Sequence, residues 1–437
     1  MSGLEGKTMK ITLIKVGMGG LMSSDAMEPL AFAVIAALTP ENIGLNMYDE
    51  RVEALPDKLD CDWLVMSSGS FTIRRTYALA QKYRALGIKV AIGGFHTSLL
   101  AEETLDYADV AFVGDAEGLW SEFIEDIQKG KYRRIYKQEE YPCIAKSYYD
   151  ESIFKGKNYT LIKPLQFSRG CRYSCDFCSI SAVYKKSLRY RDMDMVVEEI
   201  KRRKLKYVFI VDDNLFLHRG RTMDFLEGIK SLKIKWACQI SIDLASDTAL
   251  IEKMVASGCI AVLIGFETVN PDNLKLMNKQ ANIQLMDYRK VIKTLNAYGL
   301  MIYGTFVLGY DHDTLEAFDA TLEFALENRL MLANFNPLIP TVGTPLYRRM
   351  EEEGRLLFEK WWLEPGYCYG DTVYQPKNFS PEELKEGCFR IRSQFNRYSN
   401  IGKRWIMNKQ NVKNSVIYLG ANMINRREIL KKQGREL

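Results

Sequence analysis

Three observations along the 437 residues predict an α/β fold in three parts. Short β-rich runs alternate with amphipathic helical stretches over residues 9–127, and the same rhythm restarts at Leu161. Between them, residues 128–160 are rich in Lys, Tyr and Glu with little periodicity. The reading is a doubly wound, Rossmann-like N-terminal domain (1–135), a linker (136–160), a partial (β/α)6 barrel of TIM type (161–350) and a mainly helical C-terminal region (351–437).

In the first domain the strand candidates are 10–16, 44–48, 63–67, 89–92 and 110–113, with helical patterns at 28–38, 72–86 and 119–127. Glycines mark the ends of four of these runs: Gly17, Gly19 and Gly20, then Gly69, then Gly93 and Gly94, then Gly114. Ligands of doubly wound sheets bind beyond the carboxyl ends of the strands, where glycine lets a cofactor approach the backbone.

In the barrel the strand candidates are 161–167, 207–211, 235–240, 261–265, 301–308 and 333–338, with helices such as 193–203 and 314–328. Barrel enzymes carry their chemistry at the carboxyl ends of the strands. Here those ends read, in order, as a cysteine loop, Asp212-Asp213-Asn214, Ser241-Ile242-Asp243, Gly265-Phe266-Glu267, Gly309-Tyr310-Asp311-His312-Asp313, and a Pro/Gly-rich turn at 340–345. An acidic residue in such a loop can equally cap the next helix. Asp311 and Asp313 read as caps, whereas for Asp213, Gln239 and Glu267 cap and ligand readings stand side by side.

The cysteine loop is Cys171-Arg-Tyr-Ser-Cys175-Asp-Phe-Cys178. Three cysteines at x3 and x2 spacing can wrap one small loop around three irons of a cubane, leaving the fourth open, whereas electron-transfer clusters use four cysteines. A structural zinc site would want a further Cys or His nearby, and none follows until His218.

The loop resembles the signature of the radical S-adenosylmethionine (SAM) superfamily, Cys-x3-Cys-x-aromatic-Cys, with Phe177 as the aromatic residue. That resemblance implies a [4Fe-4S] cluster on Cys171, Cys175 and Cys178, and SAM chelated to the open iron with Phe177 near its adenine. It places Asp212, Asp213 and Asn214 at the SAM amino group, and Ser241, Asp243 and Glu267 where ribose and amino-acid contacts fall, with Gln239 and Gly265 alongside. The N-terminal half resembles the cobalamin-binding domain of one large class of these enzymes, through Asp49-Glu50, Gly93-Gly94-Phe95-His96-Thr97 and Gly114-Asp115-Ala116-Glu117. Gly69, Gly93, Gly94, His96, Gly114 and Glu117 are its candidate corrinoid contacts. Gly-Phe-Glu-Thr at 265–268, Met277-Asn278-Lys279 and Gly-Thr-Pro-Leu at 343–346 also look like that class. The Asp-x-His-x-x-Gly motif that carries an axial histidine elsewhere is absent, and His96 is the only histidine of the domain. Two readings therefore stay open: cobalamin bound without a histidine below it, or a domain that has kept its fold and lost the cofactor. His96 itself reads as a hydrogen-bonded loop residue or a cofactor contact.

Composition narrows the rest. No apolar run reaches the ~18 residues that span a bilayer, and the polar opening at 1–10 predicts no secretory leader. Nine cysteines without a disulfide-like pattern fit a reducing cytoplasm, and the six outside the loop are too scattered to predict a second cluster. The net charge of +5 is concentrated beyond Arg390, where apolar residues interleave with Lys and Arg. That tail reads as helices packing an apolar stripe on the body, or as a peripheral surface for anionic lipid headgroups or an acidic substrate.

The function implied is reductive cleavage of SAM to a 5′-deoxyadenosyl radical, used for cobalamin-dependent C-methylation of an unactivated carbon in a small-molecule substrate, including a lipid or other apolar one. An external electron donor of flavodoxin or ferredoxin type follows from that chemistry. The alternative is a radical cyclisation, coupling or rearrangement without methyl transfer. A tRNA methylthiotransferase would carry three more clustered cysteines, and no basic stripe predicts nucleic-acid binding. A non-catalytic corrinoid or redox sensor would not need the polar barrel rim.

Overall fold

The structure is a computed structural model that describes residues 9–19, 21–284 and 287–435, so Gly20 of the first glycine loop lies outside the described residues. The chain divides into two units.

In the first unit, β1 (Lys10–Lys15), β2 (Gly44–Asp49), β3 (Trp63–Ser67), β4 (Lys89–Gly93), β5 (Val110–Val113) and β6 (Ile135–Lys137) form one parallel sheet in the order β2-β1-β3-β4-β5-β6. Strand order reverses at β1, which makes the loops after β1 and β3 the switch point where doubly wound sheets hold ligands. Strand β1 lies inside the sheet and buries Ile11, Leu13 and Ile14 completely, which explains its near-continuous apolar run. Helices Leu30–Leu38, Ile73–Ala85 and Trp120–Gln128 follow their strands. Trp63, Phe112, Phe123 and Tyr136 form an edge-to-face aromatic core.

The stretch read as a linker is built into this unit. β6 pairs with β5, Tyr136 donates its hydroxyl to Asp126 at 2.7 Å, and Tyr149 and Phe154 are buried in the same core. Three residues between charged neighbours carry too little alternation to be read as a strand. The unit also takes Trp362–Pro365 from much later in the chain. Trp362 donates its indole N–H to Glu103 at 3.0 Å, and Arg74 donates to the Glu364 carbonyl.

In the second unit, β7 (Lys163–Leu165), β10 (Tyr207–Ile210), β11 (Lys235–Ile240), β12 (Cys259–Glu267), β13 (Met301–Leu308) and β14 (Leu332–Pro337) form a second parallel sheet in sequential order. This is the partial barrel. The first strand is shorter than expected: Leu161 is 85% exposed, and the chain leaves β7 to form β8 (Ser168–Arg169), which pairs antiparallel with β9 (Arg189–Tyr190). Strand β12 runs further than expected, to Glu267, through a register shift after Gly265.

Helices Pro381–Phe395, Tyr398–Ile406, Lys409–Lys413 and Ser415–Lys432 close the chain. Ser380 and Glu383 form a reciprocal capping box with Pro381 in the first turn, a complete helix start. Leu384, Cys388, Ile391 and Phe395 recur at helical spacing and are buried against the barrel. Arg404 is buried as well. Its guanidinium lies 3.7 Å from the Phe395 ring centroid and donates to the carbonyls of Leu330, Met331 and Phe395 at 2.8, 2.8 and 3.1 Å. Burial lowers its pKa to about 10. Among the described residues, no helix is long and apolar enough to cross a membrane.

Arg404→Met leaves the Leu330 and Phe395 carbonyls without this donor and the Met331 carbonyl with Asn422 alone. It is expected to destabilise the second unit by about 3 kcal/mol, measured by urea unfolding, while Lys403→Met on the exposed face stays within about 0.5 kcal/mol of wild type.

Candidate active site

All six strands of the second sheet are parallel, so their carboxyl ends share one edge. The cysteine loop springs from this edge. Strands β8 and β9 pair across its base, Ser168 with Tyr190 and Arg169 with Arg189. Gly170 sits at this neck with φ +98°, and a Cβ there would overlap the Ser187 carbonyl. Only glycine lets the two ends of the loop pass.

Two aspartates after β10 hold the loop's entry. Asp212 accepts the backbone N–H groups of Phe167 (2.8 Å) and Ser168 (2.7 Å) and the Ser168 hydroxyl (2.5 Å), and Asp213 accepts the Gly170 N–H at 2.7 Å. Burial lifts the Asp212 carboxyl to about 7 against the pull of its three donors. The loop's far side is fixed by other elements. Asn278 donates to the Ser174 carbonyl (2.9 Å), the Asp176 N–H to the Met277 carbonyl (3.1 Å), and Tyr310 to the Asp176 carboxylate (2.7 Å).

The three thiols line one cavity of about 230 Å³. Phe177, Asp212, Asp213 and Asn214 line it too, as do Gln239, Ser241, Gly265 and Glu267 from the ends of β11 and β12. Asp243 does not line it. Its carboxylate accepts the Tyr173 hydroxyl at 3.0 Å and the Ser241 hydroxyl, so it acts by orienting those two. Asn214 accepts the Phe216 N–H at 3.3 Å.

Among the described residues, no three His, Cys, Asp or Glu side chains gather at a single ion position. A cubane takes one thiolate per iron, and a cavity with three thiols on its wall suits that demand. Burial raises the thiols of Cys171 and Cys175, the latter to about 11, so their deprotonation is coupled to the arrival of a cation. None of the six other cysteines lines this cavity; Cys238 and Cys259 are buried beside each other, Cys388 is buried and Cys143 is exposed.

Sequence reasoning gave Lys279 no role, yet it faces the cavity. Its ammonium lies 2.5 Å from Glu267 and 5.9 Å from the Phe177 ring centroid. Burial works against its charge, but Glu267 and Cys175 outweigh that and hold it above the ordinary lysine range. Glu267 has the left-handed φ of +63° at the β12 bulge, which turns its carboxylate back across Gly265, where a Cβ would overlap it. Met277-Asn278-Lys279 entered the sequence reading only as a resemblance, and nothing in that triplet pointed to the pairing of Lys279 with Glu267 across the bulge.

Asp311 and Asp313 are not caps. Asp311 accepts from Arg349, Arg355 and Lys377 at 2.6, 2.8 and 2.9 Å. Burial opposes its charge, but those cations hold its pKa near 2. Asp313 brackets its own loop through the N–H groups of Gly309 and Tyr310.

The first unit's candidates gather at the carboxyl edge of its sheet. His96 is fully buried. Its Nδ1 pairs with the Ser70 hydroxyl at 3.0 Å and its Nε2 with Glu103 at 3.1 Å, so neither nitrogen faces a ligand. Gly94 and Gly114 have positive φ, Gly93 packs on Phe112, and Glu117 accepts the Ser147 hydroxyl at 3.4 Å. Gly69 faces open space. Past the ends of β1, β3 and β4, Met22, Phe71 and Phe95 are 52%, 45% and 36% exposed, Phe71 in the short 3-10 turn Ser70–Thr72 and Phe95 at the start of the helix Phe95–Leu99. Apolar groups on an open strand-end edge suit a flat macrocycle.

A family model described as the radical SAM superfamily matches residues 165–325. Bacteriochlorophyllide d C-12(1)-methyltransferase of Chlorobaculum tepidum is 30% identical over 390 residues, which cover 86% of this chain and 84% of that enzyme. Bacteriochlorophyllide d C-8(2)-methyltransferase of the same organism is 27% identical over 355 residues, 76% of this chain and 78% of that one. The solved structure of the radical SAM methyltransferase TsrM from Kitasatospora setae, with cobalamin and [4Fe-4S] cluster bound, shares the fold. Its TM-score is 0.61 at 14% identity, over 87% of this chain and 81% of that one.

The Asp212 shift has a sign that can be measured. Its folded pKa of about 7 lies above the ordinary 3.8, so the folded chain binds more protons between those values and loses stability as pH rises through them. Asp212→Asn cannot ionise. The melting-temperature advantage of wild type over this variant should therefore be larger at about pH 5 than at about pH 8. An equal advantage at both would mean that Asp212 is ionised throughout.

Proposed function

The chain belongs to the radical SAM superfamily, and on that premise we propose that it is a cobalamin-dependent C-methyltransferase acting on an unactivated carbon of a small molecule. The observation that carries the reading is the single cavity lined by Cys171, Cys175 and Cys178 together with the acidic and amide groups at the ends of β10, β11 and β12. When bound, the [4Fe-4S] cluster supplies the electron that cleaves SAM to methionine and a 5′-deoxyadenosyl radical, and methylcobalamin supplies the methyl group.

The chain's own part is to hold and to orient. Cys171, Cys175 and Cys178 would hold the cluster through their thiolates, and the polar groups around them would hold SAM beside it. Lys279 and Glu267 present a cation and an anion side by side, the complement of that zwitterion. Phe177 offers a face to the adenine, while Asp213, Gln239 and Ser241 offer acceptors and donors to the ribose and ammonium. In the first unit, the corrin would rest on the open edge at Gly69 among Met22, Phe71 and Phe95. His96 is held by Ser70 and Glu103 in a buried network, so its ring would not be available to a bound corrin.

The names of the two bacteriochlorophyllide methyltransferases favour a flat, largely apolar substrate of tetrapyrrole type over a lipid. A flavodoxin or ferredoxin type donor supplies the reducing electron, and a reducing cytoplasm suits the free thiols.

Anaerobic turnover with trideuteromethyl SAM should transfer the labelled methyl group to the substrate, read by mass analysis of the product. Unmethylated but rearranged product would reject methyl transfer and favour a radical cyclase. Cys175→Ala is expected to lose both iron and formation of 5′-deoxyadenosine, while Cys143→Ala keeps both. Lys279→Met should keep its iron and weaken SAM binding by roughly 10- to 100-fold, measured by equilibrium dialysis.

A further inference from the structure

Two features of the second unit lie at the end of its sheet opposite the cysteines. One is a groove of about 500 Å³ lined by Lys201, Lys204, Lys206, Lys233 and Lys235 beside Tyr207. Tyr207 and Lys235 are the first residues of β10 and β11, which places the groove at the amino ends of those strands. All five lysines are exposed, and among the described residues none has an ion-pair partner.

The other feature is the tip where helices Tyr398–Ile406, Lys409–Lys413 and Ser415–Lys432 turn into one another. Gln410 donates to the Asn296 carbonyl at 3.0 Å and Asn411 to the Arg329 carbonyl at 3.3 Å. Asn296 lies in the last turn of the helix that leads into β13 and Arg329 in the turn that leads into β14, so the tip sits at the same end of the sheet as the groove. Ile406, Met407, Val412 and Val416 stand in solvent there, 71%, 56%, 46% and 88% exposed. Lys403, Lys409 and Lys413 flank them, exposed, and the sequence has no Asp or Glu between Gly387 and Arg427.

We infer that this end of the barrel docks on an anionic lipid bilayer. Neighbouring strands are ~4.8 Å apart, which brings β10 and β13 within roughly 15 Å along the sheet, so one flat surface can meet both features. No Asp or Glu lines the groove, so its lysines meet headgroups directly, and the four aliphatic side chains enter the interfacial layer. A protein partner is the weaker fit, because the cores of protein interfaces favour aromatic residues and arginine and are depleted of lysine. The cavity with the cysteines opens at the far end of the strands. The contact is therefore a tether, independent of the chemistry proposed for the cavity.

The test uses the full chain and sedimentation with vesicles of phosphatidylcholine alone or mixed with phosphatidylglycerol. The protein should pellet only with the anionic vesicles and be released by added salt. Val416→Asp, and separately the double change Lys233→Glu with Lys235→Glu, should each weaken binding by on the order of fivefold or more per altered charge. Thermal melts should stay at the wild-type value, since these side chains are exposed. Absence from the anionic pellet, or wild-type binding by both variants, overturns the inference. So does a self-association in vesicle-free buffer that Val416→Asp abolishes, because that would assign the tip to a protein contact.

Discussion

The carboxylate of Asp212 sets where the cysteine loop leaves the barrel, and the geometry of the cavity depends on that point. Three donors converge on it from two consecutive residues, Phe167 and Ser168. They tie the chain just after β7 to the end of β10, and β8 and β9 then close the loop's base. Without the tie, the loop would keep its sequence but lose its position over β11 and β12, where Gln239, Ser241 and Glu267 wait. Asp212 therefore serves the chemistry through the backbone it holds. Asp213, one residue on, continues the same bracket to Gly170 and still lines the cavity.

The parts of the molecule that sequence made legible are those governed by period and punctuation. Strands β3, β11 and β13 coincide with their expected limits, because each is an apolar run bounded by turn residues. Strand β6 escaped for lack of length, and the first barrel strand was drawn too long because the sequence does not show the chain bending at Gln166 and Phe167 to supply a second ladder. Cysteine spacing pointed to the loop, since ligand number is a chemical demand that spacing expresses directly. The roles of Lys279, Asp176, Tyr310 and Asn278 were not legible. They act across large sequence separations and meet the loop only after three strands have been laid side by side. Acidic residues were the hardest to sort: Asp311 holds a cluster of cations and Asp243 orients two hydroxyls, and a cap, a ligand and a bracket look alike in one dimension.

Charge is distributed along the barrel axis in two different ways. At the carboxyl edge, cations are matched: Lys279 faces Glu267, and Asp311 gathers Arg349, Arg355 and Lys377. Partly buried charge needs such partners to offset desolvation. At the amino ends of the strands, the groove's lysines are exposed and have no ion-pair partner among the described residues, where water already solvates them and a partner adds little. The first arrangement fixes positions for chemistry, and the second leaves a long-range field for association.

The excursion of Trp362–Pro365 into the first unit bears on how the polypeptide matures at the ribosome. Glu103 and His96 lie buried in a network whose indole donor is encoded some 260 residues downstream of the carboxylate it meets. The amino-terminal sheet can form as it is synthesised, but this hydrogen bond must wait until the whole barrel has emerged. A nascent chain stalled short of Trp362 would display a half-satisfied buried acid to the chaperones that survey such intermediates.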